Sequence, residues 1–80
     1  MKIKRITHQE LEERLKEGAL YFYHRKVNGD IKRAFGTLCK ERLPSKALPP
    51  PEHIGCVCYY DIMVAQYRSC SKRLEVWQEI

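Results

Sequence analysis

Four cysteines, three histidines and one carboxylate–guanidinium pair are the residues of this 80-residue chain best equipped for chemistry. Cys56 and Cys58 stand two apart in IGCVCYYDIMV, a spacing that on a strand points both thiols the same way, about 6.5 Å apart. With Cys39 and Cys70 they supply four thiolates, the number a zinc site needs, but the Cys-x-Cys step is not the C-x₂₋₄-C knuckle of such sites. The simpler reading is that the thiols pack as small hydrophobes, and no metal is expected. His8, His24 and His53 are spread over three segments without a spaced partner, which makes them rim or surface residues rather than a ligand set or a catalytic base. Ser45, Ser69 and Ser71 lie outside any nucleophile elbow, and no glycine-rich loop is present to cradle a phosphate. Neither an enzyme nor a cofactor is expected.

Asp61 and Arg68 flank a turn in YYDIMVAQYR. They either close it as a surface ion pair worth about 0–1 kcal/mol or leave a charge for a ligand. A second candidate group alternates along ALYFYHRKV, where Tyr21, Tyr23 and Arg25 point one way and Lys32 is expected beside them on the next strand. Rings for stacking and cations for phosphates on one strand face are what single-stranded nucleic acid requires. The same tyrosines equally suit a place under a helix or in a dimer seam. Arg33 and Tyr59 complete the candidate ligand residues. Fifteen Lys and Arg against ten Asp and Glu give a formal charge of +5, a bias toward polyanions or acidic partners.

The elements that must hold these residues follow from pattern. A composition 44% hydrophobic and 31% charged belongs to a folded chain, and one domain spanning 1–80 is expected, with a small core. MKIKRIT has charge but no apolar run behind it, so neither an export signal nor a membrane span is read there, a cytoplasmic protein is expected and the cysteines are taken as reduced. In THQELEERLKEG, Thr7 and Glu10 have capping-box spacing, Ile6 and Leu11 the spacing of a hydrophobic staple, and Leu11 and Leu15 share a face. These predict a helix over about 7–17, stopped by Gly18 in a left-handed conformation.

Asn28-Gly29 between β-prone runs predicts a hairpin with a two-residue type I′ turn. Counting outward then pairs Val27 with Asp30, Lys26 with Ile31, His24 with Arg33 and Phe22 with Phe35. That register puts Leu20, Phe22, Ile31 and Phe35 on the core face with His24 and Arg33 near its rim, and Tyr21, Tyr23, Arg25, Lys32, Ala34 and Gly36 on the other. Gly36 inside a strand predicts a bend or bulge. Residues 40–53 contain four prolines and no strand period, which gives either a functional loop or a stiffened crossover. Strands are expected over about 19–27, 30–39, 54–62, 65–72 and 74–79, five in all after one helix.

The stretches NGDIKRAFGTL, YYDI at 59–62 and YRSC at 67–70 resemble a family of small gut-bacterial proteins with Sm-like, SH3-type β-barrels related to the WYL ligand-binding domain. Relatives read D-G-x-x-R-x-A-x-G-T-L, Y-Y-D and W-R-S-F; here Asn28, Tyr67 and Cys70 replace the usual Asp, Trp and Phe, so the cluster around the fourth strand packs differently. The resemblance covers nearly the whole chain and implies a mainly β fold, a five-stranded barrel with an N-terminal helix. It implies no established activity. The function expected is a non-enzymatic binding module, for nucleic acid through the basic-aromatic strand face. The alternatives are a protein-interaction or self-associating domain, monomer or homodimer, pairing through an exposed edge at Cys56 to Ile62, or a small-ligand regulatory module by analogy to WYL domains.

Overall fold

Thr7 starts the helix as its neighbours dictate. It stands in extended backbone, its hydroxyl accepts the Glu10 amide at 3.1 Å, and the Glu10 carboxylate accepts the Thr7 amide at 3.2 Å. Both bonds satisfy donors that helix ends leave open. Thr7→Ala should therefore lower stability by about 1 kcal/mol in urea unfolding; no change in the midpoint would show that the cap contributes nothing. The helix α1 runs His8–Glu17 and buries Leu11 and Leu15 completely. Its end differs from expectation: Gly18 has φ 173°, extended backbone open to any residue, so no left-handed cap is used and the chain passes straight toward the next strand.

The computed structural model describes residues 2–43 and 55–80, and the expectations for the proline-rich stretch, with Ser45, His53 and Ile54, lie outside them. The strands are β1 (Ile3–Ile6), β2 (Leu20–Arg25), β3 (Ile31–Thr37), β4 (Cys56–Asp61), β5 (Gln66–Ser71) and β6 (Val76–Glu79), with a short 3₁₀ turn at Lys40–Arg42. They form one antiparallel sheet in the order β1-β6-β2-β3-β4-β5. Mainly β with one helix is thus the architecture, but there are six described strands, not five, and β1 and β5 are left as edges instead of closing on each other. The extra strand is β1. It lacks strict alternation, with Ile3, Lys4 and Arg5 exposed and only Ile6 buried, and it is a strand because β6 pairs with it from Ile3↔Glu79 to Ile6↔Val76.

The hairpin register is displaced by one residue from the expected one. Leu20 pairs with Gly36, Phe22 with Ala34, His24 with Lys32 and Arg25 with Ile31. Lys26 and Asp30 close the loop (N to O 2.6 Å), the Gly29 amide bonds the Lys26 carbonyl at 2.9 Å, and positive φ occurs in this loop at Gly29 alone, 95°. A type I′ turn needs positive φ at two residues; one suffices for a type I turn followed by a left-handed glycine, a three-residue loop. Asn28 locks it by accepting the Asp30 amide at 3.0 Å.

Because side chains alternate, the slip exchanges β3's faces. Ala34, not Phe35, lies opposite Phe22, and Ile31 is 51% exposed. The core comprises Ile6, Leu11, Leu15, Phe22, Ala34, Val57, Tyr59, Cys70 and Val76, with Leu20 and Leu38 against it. Gly36 makes no room for a bulge; it makes room for rings, since a Cβ there would meet Tyr59 Cδ2 at 2.6 Å and Phe22 Cε1 at 3.1 Å. The helix is tied to the sheet by Thr37, fully buried, whose hydroxyl lies 3.0 Å from the Gly18 carbonyl and 3.3 Å from that of Leu15 and accepts the Cys39 amide at 3.0 Å. The expected edge at Cys56 to Ile62 is taken in part: β4 pairs with β5 along its length, and with β3 at its far end through Gly36↔Asp61 and Thr37↔Tyr60.

Candidate functional site

The expected basic-aromatic face exists in part. Tyr21 and Tyr23 on β2 share a face with Arg25, and the displaced register brings Arg33 and Phe35 beside them instead of Lys32. Tyr21 stacks on Phe35 with centroids 4.2 Å apart, and the Arg33 guanidinium lies 4.2 Å over the Tyr21 ring. Strand β6 and the residue before it then supply the counter-charges. Arg33 donates to both Glu79 carboxylate oxygens at 3.0 and 3.2 Å, and the Tyr23 hydroxyl donates to the same carboxylate at 3.2 Å. Arg25 donates to Glu75 at 3.2 and 3.3 Å, to the Gly29 carbonyl at 2.9 Å, and lies 5.7 Å over Trp77. The Arg33 hydrogen bond holds the Glu79 carboxyl below the usual carboxylate range, and the bond to Glu79 raises the Arg33 guanidinium. The cations of this face are committed within the protein, where they hold β6 onto the hairpin.

The inner face carries the other candidates. Lys32 stands opposite His24, and Arg68 stands opposite Tyr59. His24, only 7% exposed, places Nε2 3.4 Å from the hydroxyl of the fully buried Tyr59. Arg68 Nε lies 3.7 Å from Asp61 Oδ2, while Asp61 Oδ1 accepts the Met63 amide at 3.0 Å. Asp61 is 1% exposed, so this ion pair is half-buried rather than a surface pair, and one carboxylate both turns the chain after β4 and fixes Arg68. The slip that took Lys32 away from the tyrosines is what puts it here.

Of these residues, His24, Lys32, Tyr59 and Arg68 line a cleft of about 520 Å³ between the tip of the β2–β3 hairpin and β5. Strand β4 separates those two walls in the sheet, so they face one cavity because the sheet curls. His24, Tyr59 and Cys70 form the floor, and Lys26, Lys32 and Arg68 bring positive charge to the walls. Among the described residues that line it there is no Asp or Glu. Burial, and after it the nearby Lys32 ammonium, pulls the His24 imidazole below its ordinary pKa. Burial also pushes the Cys70 thiol up to about 12 and raises the Tyr59 phenol. A thiol so protonated is not a nucleophile.

The cysteines do not converge. Val57 and Cys70 face each other on the inner side, and Cys56 and Cys58 alternate onto the outer. Among the described residues no group of three or more His, Cys, Asp and Glu side chains is placed to hold a metal ion. Burial raises the Cys58 thiol as well. Nor is any helix among the described residues long and apolar enough to cross a membrane.

His24 and Cys70, weighed from sequence only as metal ligands or catalytic groups, and Lys26 were not among the ligand candidates. The signal that would have found them is the hairpin register: a three-residue loop sets His24 opposite Lys32 and points both inward. The three stretches that carried the resemblance meet at this cleft, which takes Asn28 and Lys32 from the first, Tyr59 from the second, and Arg68, Ser69 and Cys70 from the third.

A small curled antiparallel sheet packed on one helix is an architecture of the Sm-like, SH3 type. Residues 8–73 match the model of the family described as WYL_2, Sm-like SH3 beta-barrel fold, and the chain belongs to that family. No match was found among curated proteins or among solved structures. The matched span takes in α1 and β2 to β5 and leaves out β1, β6 and the two glutamates that neutralise the outer-face arginines.

Proposed function

We propose that the chain is a non-enzymatic binding module whose cleft takes a small anion-bearing ligand. The observation that carries this reading is the charge of the cleft: Lys26, Lys32 and Arg68 line it, and no carboxylate does among the described residues. Low-dielectric walls lined by one sign of charge focus the field on whatever enters. The volume lies within the range of about 300–1,000 Å³ usual for small-molecule sites, and a buried His24–Tyr59 pair beneath the cations offers fixed polar contacts for orientation. Protonated thiols and the absence of a converging catalytic set among the described residues favour binding over chemistry.

Nucleic acid on the outer face is the second reading, favoured by the Tyr21 ring, which stays 38% exposed with Arg33 above it. It is the weaker one, because a phosphate backbone would have to displace Glu79 and Glu75 from the arginines before gaining from them. The test is a calorimetric screen of phosphorylated and carboxylated small molecules, with a single-stranded oligonucleotide alongside. Lys32→Ala should weaken binding of a small anion roughly tenfold or more, the loss expected for one charge-assisted hydrogen bond, and added salt should weaken it further. Arg33→Ala should leave it unchanged. Oligonucleotide binding that is lost with Arg33→Ala and indifferent to Lys32→Ala would transfer the function to the outer face.

A further inference from the structure

We infer that His24 couples this cleft to protons: an anion seated between Lys32 and Arg68 draws a proton onto the His24 imidazole, so the cleft binds anions more tightly as pH falls. The inference rests on the cleft reading above and adds its regulation.

The groups packed around His24 bring it more positive than negative charge. From its own strand it is followed by Arg25, committed to Glu75, and by Lys26. Strand β3 presents Lys32 directly opposite. Strand β4 presents the Tyr59 hydroxyl at 3.4 Å and, further off, the Asp61 carboxylate, which already serves Arg68 and the Met63 amide. Strand β5 adds Arg68 and the Cys70 thiol to the same cleft, and β6 sets apolar Val76 against His24. The imidazole is therefore almost out of water among more cations than anions, and both conditions favour its neutral form. Burial and Lys32 indeed hold its pKa below the ordinary value, against the weaker pull of a backbone hydrogen bond at Arg25 and of Asp61.

A bound anion reverses the second condition. It neutralises the field of Lys32 and Arg68 at the ring and brings a counter-charge to within reach of it. The hydroxyl of Tyr59 supplies the relay. In the tautomer whose Nε2 is unprotonated, the hydroxyl donates to Nε2; once Nε2 takes a proton from solvent it becomes the donor, and the hydroxyl, now accepting, is free to turn its own proton to the anion. One proton is taken up, and no bond of the ligand is made or broken. By linkage, affinity begins to rise as pH falls through the His24 pKa of the occupied cleft. It levels off below the lower pKa of the empty one, changing by up to about tenfold per pH unit between them.

Sulfate is the probe, because it keeps its charge across this range while phosphate does not. Calorimetry on the native chain at about pH 8 and about pH 5 should show sulfate binding at least about tenfold more tightly at the lower pH. NMR titration of the ring protons should show the His24 midpoint moving up when sulfate is added. His24→Gln, which keeps a polar side chain but cannot charge, should reduce the pH effect to less than about twofold. Sulfate binding that is equally strong at both pH values, with the His24 midpoint unmoved, would overturn the coupling and leave the cleft as an anion site. No sulfate binding at either pH would remove the cleft reading and the coupling together. The NMR arm uses the native chain, so it decides the matter even if the variant does not fold.

Discussion

Phe22→Ala should lower the unfolding free energy by about 3–5 kcal/mol, the cost of deleting a buried aromatic ring and leaving its cavity. Phe22 is fully buried at the middle of the sheet and meets the edge of Tyr59, ring centroids 4.9 Å apart at 81°. A chain of 80 residues has a small core and a total stability of roughly 5–15 kcal/mol at most, so this one change should remove a large share of it. Each kcal/mol shifts the melting temperature by about 4–8 °C in domains of this size, which puts the variant at or below the edge of folding at room temperature. Thermal melting by circular dichroism reads it. A loss under about 1 kcal/mol would mean that Tyr59 and Leu15 close over the gap and that the core is softer than its packing suggests.

Gly36→Ala, the addition of one methyl group, is the second large effect, expected to destabilise by about 1–3 kcal/mol. In an ordinary strand, replacing glycine by alanine stabilises by about 0.4–1 kcal/mol because it restricts the unfolded chain. Here the sign inverts. The new Cβ would stand 2.6 Å from Tyr59 Cδ2 and 3.1 Å from Phe22 Cε1, and both rings are held by the core around them, so neither is a flexible end that can swing aside. The variant carries a functional signature too. Pushing the Tyr59 ring moves its hydroxyl from His24, so an anion that binds the cleft should bind Gly36→Ala with a weakened pH dependence even where the fold survives. Urea unfolding that shows equal or greater stability would refute the crowding.

How much of this was legible beforehand depended on whether the determining contacts were local. The helix start was, since Thr7, Glu10, Ile6 and Leu11 act on one another within a turn. The hairpin was legible as a hairpin but not in register, because Asn28-Gly29 serves two-residue and three-residue loops alike, and the choice falls to packing across the sheet, where Ala34 and Gly36 fit under Phe22 and Tyr59 and Phe35 does not. From that single residue followed the wrong company for Lys32 and a rim position for His24. Strand β1 was illegible for a different reason: nothing between Ile3 and Ile6 alternates, and what makes it a strand is a partner at the other end of the chain. The ion pair of Asp61 and Arg68 could be read as a meeting across a turn, but its burial could not, because the walls that enclose it come from the hairpin.

The pairing of β1 with β6 has a bearing on how the molecule is assembled in time. Strand β6 also lies against β2, so a strand synthesised after all the others described is inserted between two that were made long before it. Until it arrives, Phe22 and Ile6 have no Val76 to complete their cover, and the hairpin arginines lack Glu75 and Glu79. Such long-range closures are slow because the loop entropy must be overcome before the contacts form. On a ribosome the growing polypeptide can pair β2 with β3 and β4 with β5 as each emerges, but the sheet is locked only after β6 leaves the exit tunnel.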